Sequence, residues 1–237
     1  MCVLQTRYYC TGKSRIKGVI AVDICESRQL SVNEEAAQVD RCDIDQGNAI
    51  VCRLDQVRQR YERDAPHQHF PTDHHTIVFG EGDPCARLMF IGEAPGADED
   101  RQGEPFVGRA GKLLDQMLLA AGYERDMVYI ANILKCRPPN NRNPAPDEIL
   151  ACSGYLAAQI AMIRPKAILS VGAISATSLL QTDLSVGRLR GEVHYFGERR
   201  IPLIVTYHPA YLLRQPAQKP SAWLDLQLLM RVLRGAA

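Results

Sequence analysis

The sequence contains no long apolar run and no continuous secretory segment. No stretch of its 237 residues approaches the roughly 18 consecutive apolar residues that a membrane-spanning helix needs. The amino-terminal segment MCVLQTRYYCTGKSRIKGVIAVD lacks the continuous apolar core of a signal peptide. We therefore expect a cytoplasmic protein with no membrane partner.

Two common nucleotide-binding motifs and a disulfide pattern are also missing. GRAGKLL is not the phosphate loop G-x-x-x-x-G-K-[ST], and no G-x-G-x-x-G follows the first apolar run. The eight cysteines are scattered through a chain that is long enough to bury a sizeable core without disulfides. These absences disfavour nucleoside-triphosphate and dinucleotide chemistry, and they favour reduced thiols or metal ligands.

Charge is nearly balanced overall but unevenly distributed. The net charge is +1, yet residues 1 to 100 hold 11 Lys+Arg against 17 Asp+Glu, and residues 101 to 237 hold 17 against 10. A basic carboxyl-terminal part suits phosphate contacts. The distribution permits a nucleic-acid partner without requiring one.

Apolar runs alternate with helical patterns in most of the chain. The runs lie at 88 to 91, 128 to 134, 167 to 171 and 201 to 206, with helical patterns between and after them. This alternation predicts an α/β fold of three layers, in which helices cover both faces of a central, mainly parallel, four-stranded sheet.

The amino-terminal quarter differs from the rest. Residues 1 to 55 show no sustained periodicity, and residues 56 to 64 resemble a short polar helix. We predict a poorly ordered extension over 1 to 55 and one domain over 56 to 237.

Residues suited to chemistry follow each predicted strand. GEAPG follows the first strand, Asn132 ends the second, Gly172 follows the third and His208 follows the fourth. Each alone has a plain structural explanation, as a turn, a loop cap or a satisfied histidine. Because ligands bind beyond the carboxyl ends of parallel strands, their coincidence at one edge predicts a site.

The side chains of this edge suggest one type of reaction. Asn132 offers an acceptor and donors that match a pyrimidine edge with a ring N–H beside a carbonyl, which cytosine lacks. Phe106 is placed either to stack on such a ring or to plug the core. His208 is suited to bind a carbonyl oxygen that gains negative charge, and Glu93 to orient a water. The set fits cleavage of a glycosidic bond with a base anion as leaving group.

Backbone amides at two predicted helix starts are candidate phosphate ligands. They belong to Gly108 and Arg109 of GRAG and to the turn at Gly172. Glycine-rich loops alone are weak evidence for such contacts.

Four long motifs carry a resemblance to a known family. They are GEAPGADEDRQGEPFVGRAG (92 to 111), YIANILKCRPPNNRNPAPDE (129 to 148), GRLRG (187 to 191) and TYHPAYLLR (206 to 214). In this order they resemble the motifs of family 4 uracil-DNA glycosylases, the iron-sulfur type, over roughly residues 76 to 235. The resemblance implies excision of uracil from DNA at the start of base excision repair, by an enzyme that we expect to be a monomer.

The resemblance also implies roles for individual residues. Glu93 positions or activates water, Phe106 stacks on the flipped uracil, and Asn132 reads its edge. Gly92 is a further uracil-binding residue. His208 stabilises the leaving uracil.

The HPAYLLR segment is implied to enter the DNA. Leu212 or Leu213 would act as a wedge that fills the vacated stack, and Arg214 would contact a phosphate. Because flipping is easiest where pairing is poor, a G·U mispair or a single strand should be the easier target.

The chain departs from the family at the implied [4Fe-4S] cluster. The second ligand pair is present as Cys136 and Cys152, but the upstream pair is replaced by residues near Ala65 and Gln68. Conceivable substitutes are His67, His69, Cys42 and Cys52. The alternative is that the two cysteines are ordinary buried thiols. The histidines at 67, 69, 74 and 75 are interpreted as a solvated loop, with no metal ligand assigned among them and no catalytic metal expected.

The sequence is compatible with two other functions. A non-hydrolytic DNA-damage-binding protein would keep the pocket without turnover, although the loop RPPNNRNPAPDE lacks the histidine through which one branch of the superfamily attaches to DNA. A small-molecule hydrolase on the same fold would act on free nucleosides. Neither explains HPAYLLR as well.

Overall fold

All four predicted apolar runs form strands in the computed structural model, which describes residues 44 to 235. The strands in this range are β1 (Glu81–Gly82), β2 (Leu88–Gly92), β3 (Tyr129–Asn132), β4 (Ala167–Val171), β5 (Val193–Phe196) and β6 (Ile201–Thr206). The α-helices in the same range are α1 (Ile44–Asp64), α2 (Ala97–Gln102), α3 (Arg109–Ala120), α4 (Pro146–Ile163), α5 (Ala173–Leu180), α6 (Val186–Leu189), α7 (Pro209–Arg214) and α8 (Lys219–Leu233). No helix in the described part of the chain is long and apolar enough to cross a bilayer.

The strands form one sheet in the order β1-β3-β2-β4-β6-β5. Its four central strands are parallel, which confirms the α/β class and the mainly parallel sheet. Two antiparallel edge strands, β1 and β5, raise the number of strands to six, so the predicted number of four was wrong. β1 has only two residues and the side chains of β5 are at most half-buried, so neither produces an apolar run.

The sheet separates two apolar clusters because successive side chains of a strand point to opposite faces. Leu88 and Phe90 of β2 pack into the cluster that contains side chains of α3 and α8. Met89 and Ile91 pack into the cluster that contains side chains of α1 and α4. The predicted arrangement of helices on both faces of the sheet is therefore present.

Helix α1 begins earlier than predicted. It spans Ile44–Asp64, so residues 44 to 55, which were assigned to a poorly ordered extension, are helical. Leu54 and Tyr61 anchor it because both side chains are buried in the cluster shared with α4. Ile50 and Val57 pack against the same cluster, and the many charged and amide side chains between these positions hid the pattern. The other part of the predicted extension, 1 to 43, lies outside the described residues.

The order of the central strands creates a crevice at the carboxyl edge. After β2 the chain crosses to β3 on one side and then returns to β4 on the other side of β2. Open α/β sheets bind ligands at such a switch point. The loops that leave β2 and β4 therefore flank the place where a ligand is expected.

Candidate active site

The loops after β2, β3, β4 and β6 line a cleft of about 880 Å³ at the carboxyl edge of the sheet. Its lining includes Glu93, Gly172 and His208, which come from three different loops. Arg142 and Arg214 line the same cleft, and the guanidinium group of Arg142 forms a bidentate ion pair with the carboxylate of Glu148. The structure thus brings together residues that the sequence placed at one edge.

Asn132 ends β3 directly beside Gly92 of β2. A Cβ atom on residue 92 would lie 2.4 Å from Oδ1 of Asn132 and 2.5 Å from Cζ of Phe106, so only glycine leaves both groups in place. Asn132 is 2% exposed, and its Oδ1 atom is buried without a hydrogen-bond partner among residues 44 to 235. Because buried polar atoms normally have partners, this acceptor is available to an N–H group of a ligand.

A buried lysine holds the backbone of Asn132. Nζ of Lys135 donates to the carbonyl oxygen of Asn132 over 2.8 Å and to Oε1 of Gln159 over 2.6 Å. Nε2 of Gln159 in turn donates to the carbonyl oxygen of Phe79. Complete burial lowers the pKa of Lys135 to about 7. These contacts fix the end of β3 through the backbone of Asn132 and do not involve its side-chain amide group.

Phe106 lies close to both Asn132 and His208. Its backbone has a left-handed φ of 54°, a conformation that costs roughly 1–3 kcal/mol in a non-glycine residue and is often kept at functional sites. Nη1 of Arg125 donates to its carbonyl oxygen over 3.3 Å, which helps to hold it there. The rings of Phe106 and His208 have centroids 5.7 Å apart. A flat apolar surface therefore lies between the amide and the imidazole.

Glu99 fixes the loop that carries Phe106. Its carboxylate accepts hydrogen bonds from the amides of Gly96, Val107 and Gly108 at 3.2, 3.0 and 3.1 Å. Because the amide of Gly108 is used inside the protein, it is not free for a phosphate in this conformation. Arg109, at the start of α3, is exposed.

His208 caps α7 in a way that selects one tautomer. Its Nδ1 atom accepts a hydrogen bond from the amide of Ala210 over 3.1 Å, so the proton of the neutral ring lies on Nε2. Burial, with the nearby charge of Arg214, lowers the pKa of His208 to about 4. The ring is therefore neutral at physiological pH and offers one N–H donor.

Gly172 allows the loop after β4 to approach His208 closely. Its φ of 99° favours glycine, and a Cβ atom there would lie 3.1 Å from Cβ of His208. Its own amide donates to the carbonyl oxygen of Thr206 over 3.0 Å. Gly172 therefore shapes the pocket, while its amide is engaged within the protein.

Glu93 faces the cleft from the loop after β2. Backbone hydrogen bonds from Ile133 to Gly92 and from Leu134 to Glu93 continue the strand pairing and fix its position. Burial raises the pKa of the Glu93 carboxyl group above its ordinary value. A carboxylate with a raised pKa is suited to accept a proton from a water molecule.

The structure of α7 distinguishes Leu212 from Leu213, which the sequence left as alternative wedge residues. Leu212 is 1% exposed and belongs to the apolar cluster that contains side chains of α3 and α8, so it is not available as a wedge. Leu213 is 37% exposed, and Arg214 is exposed and lines the cleft. The helical phase thus directs the first leucine inward and the next two side chains outward.

The surroundings of Cys136 and Cys152 do not fit a [4Fe-4S] cluster. The hydroxyl of Tyr61 lies 3.3 Å from Sγ of Cys136 and 3.9 Å from Sγ of Cys152. The cavity beside these three side chains measures about 20 Å³, which is room for roughly one water molecule. The upstream thiolates are absent, since Ala65 and Gln68 stand where they are expected. Within the described residues, a tyrosine fills part of the space that a cluster would need.

Four residues with clear roles were missed at the level of sequence. The G-x-x-E spacing that ends at Glu99 places its carboxylate to accept from the backbone amide at the start of α2, as the glutamate of a capping box does, and was a usable signal. Lys135, inside the apolar segment ILKC, was another. Tyr61 and Arg125 gave none, because each acts on residues that are distant in sequence.

Comparisons with known proteins agree with this geometry. The family described as the uracil DNA glycosylase superfamily matches residues 79–227. A type-4 uracil-DNA glycosylase of Sulfurisphaera tokodaii is 49% identical over 146 residues, covering 59% of this chain and 66% of that protein. Those of Thermotoga maritima and Archaeoglobus fulgidus are 45% and 46% identical, covering 58% and 59% of this chain and 72% and 73% of those proteins.

The match extends over most of the described fold. The chain spans about two thirds of the length of the Sulfurisphaera relative and nearly three quarters of the other two. The matched residues include the loops after β2, β3, β4 and β6 that form the cleft. The chain belongs to the uracil DNA glycosylase superfamily and, within it, to the type-4 branch.

Proposed function

We propose that this protein is a uracil-DNA glycosylase, which binds uracil in DNA, flips it into the cleft and hydrolyses its N-glycosidic bond. The observation that carries the proposal is the buried Oδ1 atom of Asn132, which lies beside Phe106 and has no hydrogen-bond partner among residues 44 to 235. Across that ring lies the neutral imidazole of His208. An acceptor, an apolar surface and a donor in this arrangement suit the edge, face and carbonyl oxygen of one pyrimidine.

Asn132 supplies the selectivity for uracil. Its Oδ1 atom accepts from the N3–H group of uracil, while its Nδ2 atom donates to O4. Cytosine carries an acceptor at N3 and an amino group in place of O4, so both hydrogen bonds would be lost. A buried acceptor that stays unpaired beside the wrong base costs roughly 1–3 kcal/mol.

His208 and Glu93 act on opposite sides of the scissile bond. When the bond between C1′ and N1 breaks, its electron pair moves to the base, and Nε2–H of His208 stabilises the negative charge on O2. The sugar becomes cationic, and the Glu93 carboxylate orients a water whose oxygen bonds to C1′. The Glu93 carboxylate accepts one proton of that water, the uracil anion takes up a proton from solvent, and the products are uracil and an abasic site in DNA.

The exposed face of α7 and the start of α3 provide the DNA contacts. Leu213 fills the space that the flipped base leaves, and Arg214 and Arg109 contact phosphates. Single strands and G·U mispairs are the preferred substrates, because flipping from them costs least. No step uses an iron-sulfur cluster. We also propose that the protein acts as a monomer in the cytoplasm.

Leu213→Ala is expected to reduce excision from a duplex by about tenfold, since a few kcal/mol are needed to unstack a paired base. Excision from a single strand should change by less than about twofold, because no stack has to be filled. Single-turnover rates of wild type and variant on a U·A duplex and on single-stranded DNA measure the difference between the two effects.

The neighbouring Leu212→Ala is the matched control. It removes a buried core side chain, so thermal unfolding should show a loss of about 2–5 kcal/mol, whereas Leu213→Ala leaves stability nearly unchanged. An equal loss of rate on both DNA forms for Leu213→Ala contradicts the wedge.

Glu93→Gln is expected to lower the single-turnover rate by about 10²-fold, because the water loses its base. In the wild type the rate should fall as the pH drops through the raised pKa of Glu93, and the variant should lose this acid limb. Glu104→Gln, an exposed carboxylate in the neighbouring loop, is the control and keeps the wild-type profile. An acid limb that persists in Glu93→Gln assigns the titration to another group.

The function itself is tested with oligonucleotides that carry one uracil in a single strand, a G·U mispair or a U·A pair. After incubation, alkali cleaves abasic sites, and strand scission is measured against a thymine-containing control. Scission that depends on uracil supports the proposal. Binding without scission by folded protein overturns it in favour of a DNA-binding protein, and release of uracil from free deoxyuridine at a similar rate indicates a nucleoside hydrolase.

A further inference from the structure

Three metal-binding side chains meet next to the place where the family's cluster is implied. One possible ligand atom from each of His67, His74 and Cys136 lies within 4.8 Å of the other two. The two histidines come from the segment that follows α1, and the cysteine comes from the loop after β3. The sequence pointed to His67 as a conceivable substitute ligand but gave no reason to pair it with His74.

One ring nitrogen of His67 has no hydrogen-bond partner among the described residues. Its side chain is 9% exposed, and its Nδ1 atom is buried with no hydrogen-bond partner in the described part of the chain. Buried ring nitrogens are normally paired, since an unsatisfied polar group costs roughly 1–3 kcal/mol. A ligand at this ring removes the cost.

His74 is oriented towards His67 by a neighbour. Its Nδ1 atom lies 2.7 Å from Oγ1 of Thr72, and its ring meets that of His67 edge-on with centroids 4.5 Å apart. Metal-bound histidines commonly have their second ring nitrogen held by such an oxygen. Nε2 of His74 is thereby left for a ligand.

Cys136 has a hydrogen-bond donor of the type that supports a metal-bound thiolate. The hydroxyl of Tyr61 lies 3.3 Å from its Sγ atom. The cavity of about 20 Å³ is lined by His67, Tyr61, Cys136 and Cys152, and it accommodates a species of roughly one atom. The space that excludes a cluster is therefore sufficient for a single ion.

We propose that His67, His74 and Cys136 bind one zinc ion, with a water molecule completing a tetrahedral set. Two imidazoles and one thiolate are ligands that zinc favours, at about 2.0–2.1 Å for nitrogen and about 2.3 Å for sulfur. In a tetrahedral site with these bond lengths the ligand atoms lie roughly 3.5 Å from one another. The three ligand atoms now lie within 4.8 Å of one another, so they must approach by about 1 Å when the ion binds. The ion links the segment after α1 to the loop after β3 and takes over the structural role of the cluster.

Metal analysis of the full-length protein, purified without a histidine tag, tests this site. Mass spectrometry of the metals should find about one zinc per chain and no iron with acid-labile sulfide. His67→Ala, His74→Ala and Cys136→Ser should each bind zinc at least about tenfold more weakly in competition with a chromophoric chelator. His69→Ala, an exposed histidine of the same segment, is the matched control and keeps the wild-type affinity.

Cobalt substitution gives a readout that does not depend on the stability of a variant. Wild-type protein loaded with Co²⁺ should show the absorption of a tetrahedral site with a thiolate charge-transfer band, and Cys136→Ser should lack that band. Zinc should also raise the melting temperature of the wild type. Wild-type protein that binds no zinc, or that contains iron with sulfide, overturns the proposal, as does zinc binding that survives loss of either histidine. Because no readout measures excision, the result is independent of the proposed glycosylase activity.

Discussion

Asn132→Ala is expected to lower the single-turnover rate of uracil excision by about 10²- to 10³-fold, the usual effect of removing one well-placed hydrogen-bonding group from an active site. The variant loses both the acceptor for N3–H and the donor for O4, so uracil is no longer distinguished by its edge. The comparison uses a single-stranded oligonucleotide with one uracil, because flipping then makes the smallest contribution to the rate.

The stability of Asn132→Ala should move in the other direction. In the free protein the Oδ1 atom is buried without a partner in the described residues, so removing it relieves a cost rather than breaking a contact. We expect a melting temperature equal to or above that of the wild type. A group that lowers stability while supporting activity is typical of a binding site.

Asn48→Ala provides the control, since Asn48 is an exposed amide on α1, away from the cleft. It should keep the wild-type rate. An Asn132→Ala variant that cuts within about threefold of the wild type would show that the edge of uracil is read elsewhere. A large drop in melting temperature would mean instead that the side chain has a structural partner.

The central sheet and the location of the site were predictable because they depend on local patterns. The four parallel strands are mostly apolar, and β2 and β4 are buried on both faces. Once the strands are parallel, the residues that follow them must meet at one edge. Asn132 and His208 could therefore be placed together before any distance was known.

The parts that were missed depend on packing rather than on local pattern. In α7, adjacent leucines have the same chemistry, and only the orientation of the helix against the core decides that Leu212 is buried and Leu213 exposed. Likewise, β5 is stabilised by pairing with β6 and has no buried face of its own to reveal it.

The contacts around Tyr61 also depend on packing and could not be predicted from local sequence pattern. The hydroxyl of Tyr61 contacts Cys136, which is 75 positions away in the chain. The sequence revealed that the upstream cysteines are missing, but it did not reveal what replaces them. That answer requires the packing of α1 against α4, which carries Tyr61 to the two thiols.

His208→Ala is expected to lower the single-turnover rate by about 10²- to 10³-fold, because the leaving uracil loses the Nε2–H donor at its O2 atom. The loss should appear in the chemical step, with little change in the affinity for uracil-containing DNA measured under conditions where no excision occurs. His69→Ala, an exposed histidine outside the cleft, should behave like the wild type.

The pH dependence distinguishes a neutral imidazole from a charged one. Burial lowers the pKa of His208 to about 4, against about 6.5 for an ordinary histidine, so the ring stays neutral and competent from about pH 8 down to about pH 5. The wild-type rate should therefore show no inflection near pH 6.5, and its acid limb should be the one that Glu93→Gln removes.

The same shift predicts a change in folding stability with pH. Because the folded state disfavours protonation of His208, its contribution to the free energy of unfolding is fully present above about pH 6.5 and is lost as the pH falls towards 4. Denaturant unfolding should show a steeper loss of stability over this interval for the wild type than for His208→Ala. A wild-type rate that rises as a group of pKa near 6.5 becomes protonated, with the rise absent in His208→Ala, would establish an imidazolium instead, and the neutral-donor mechanism would fail.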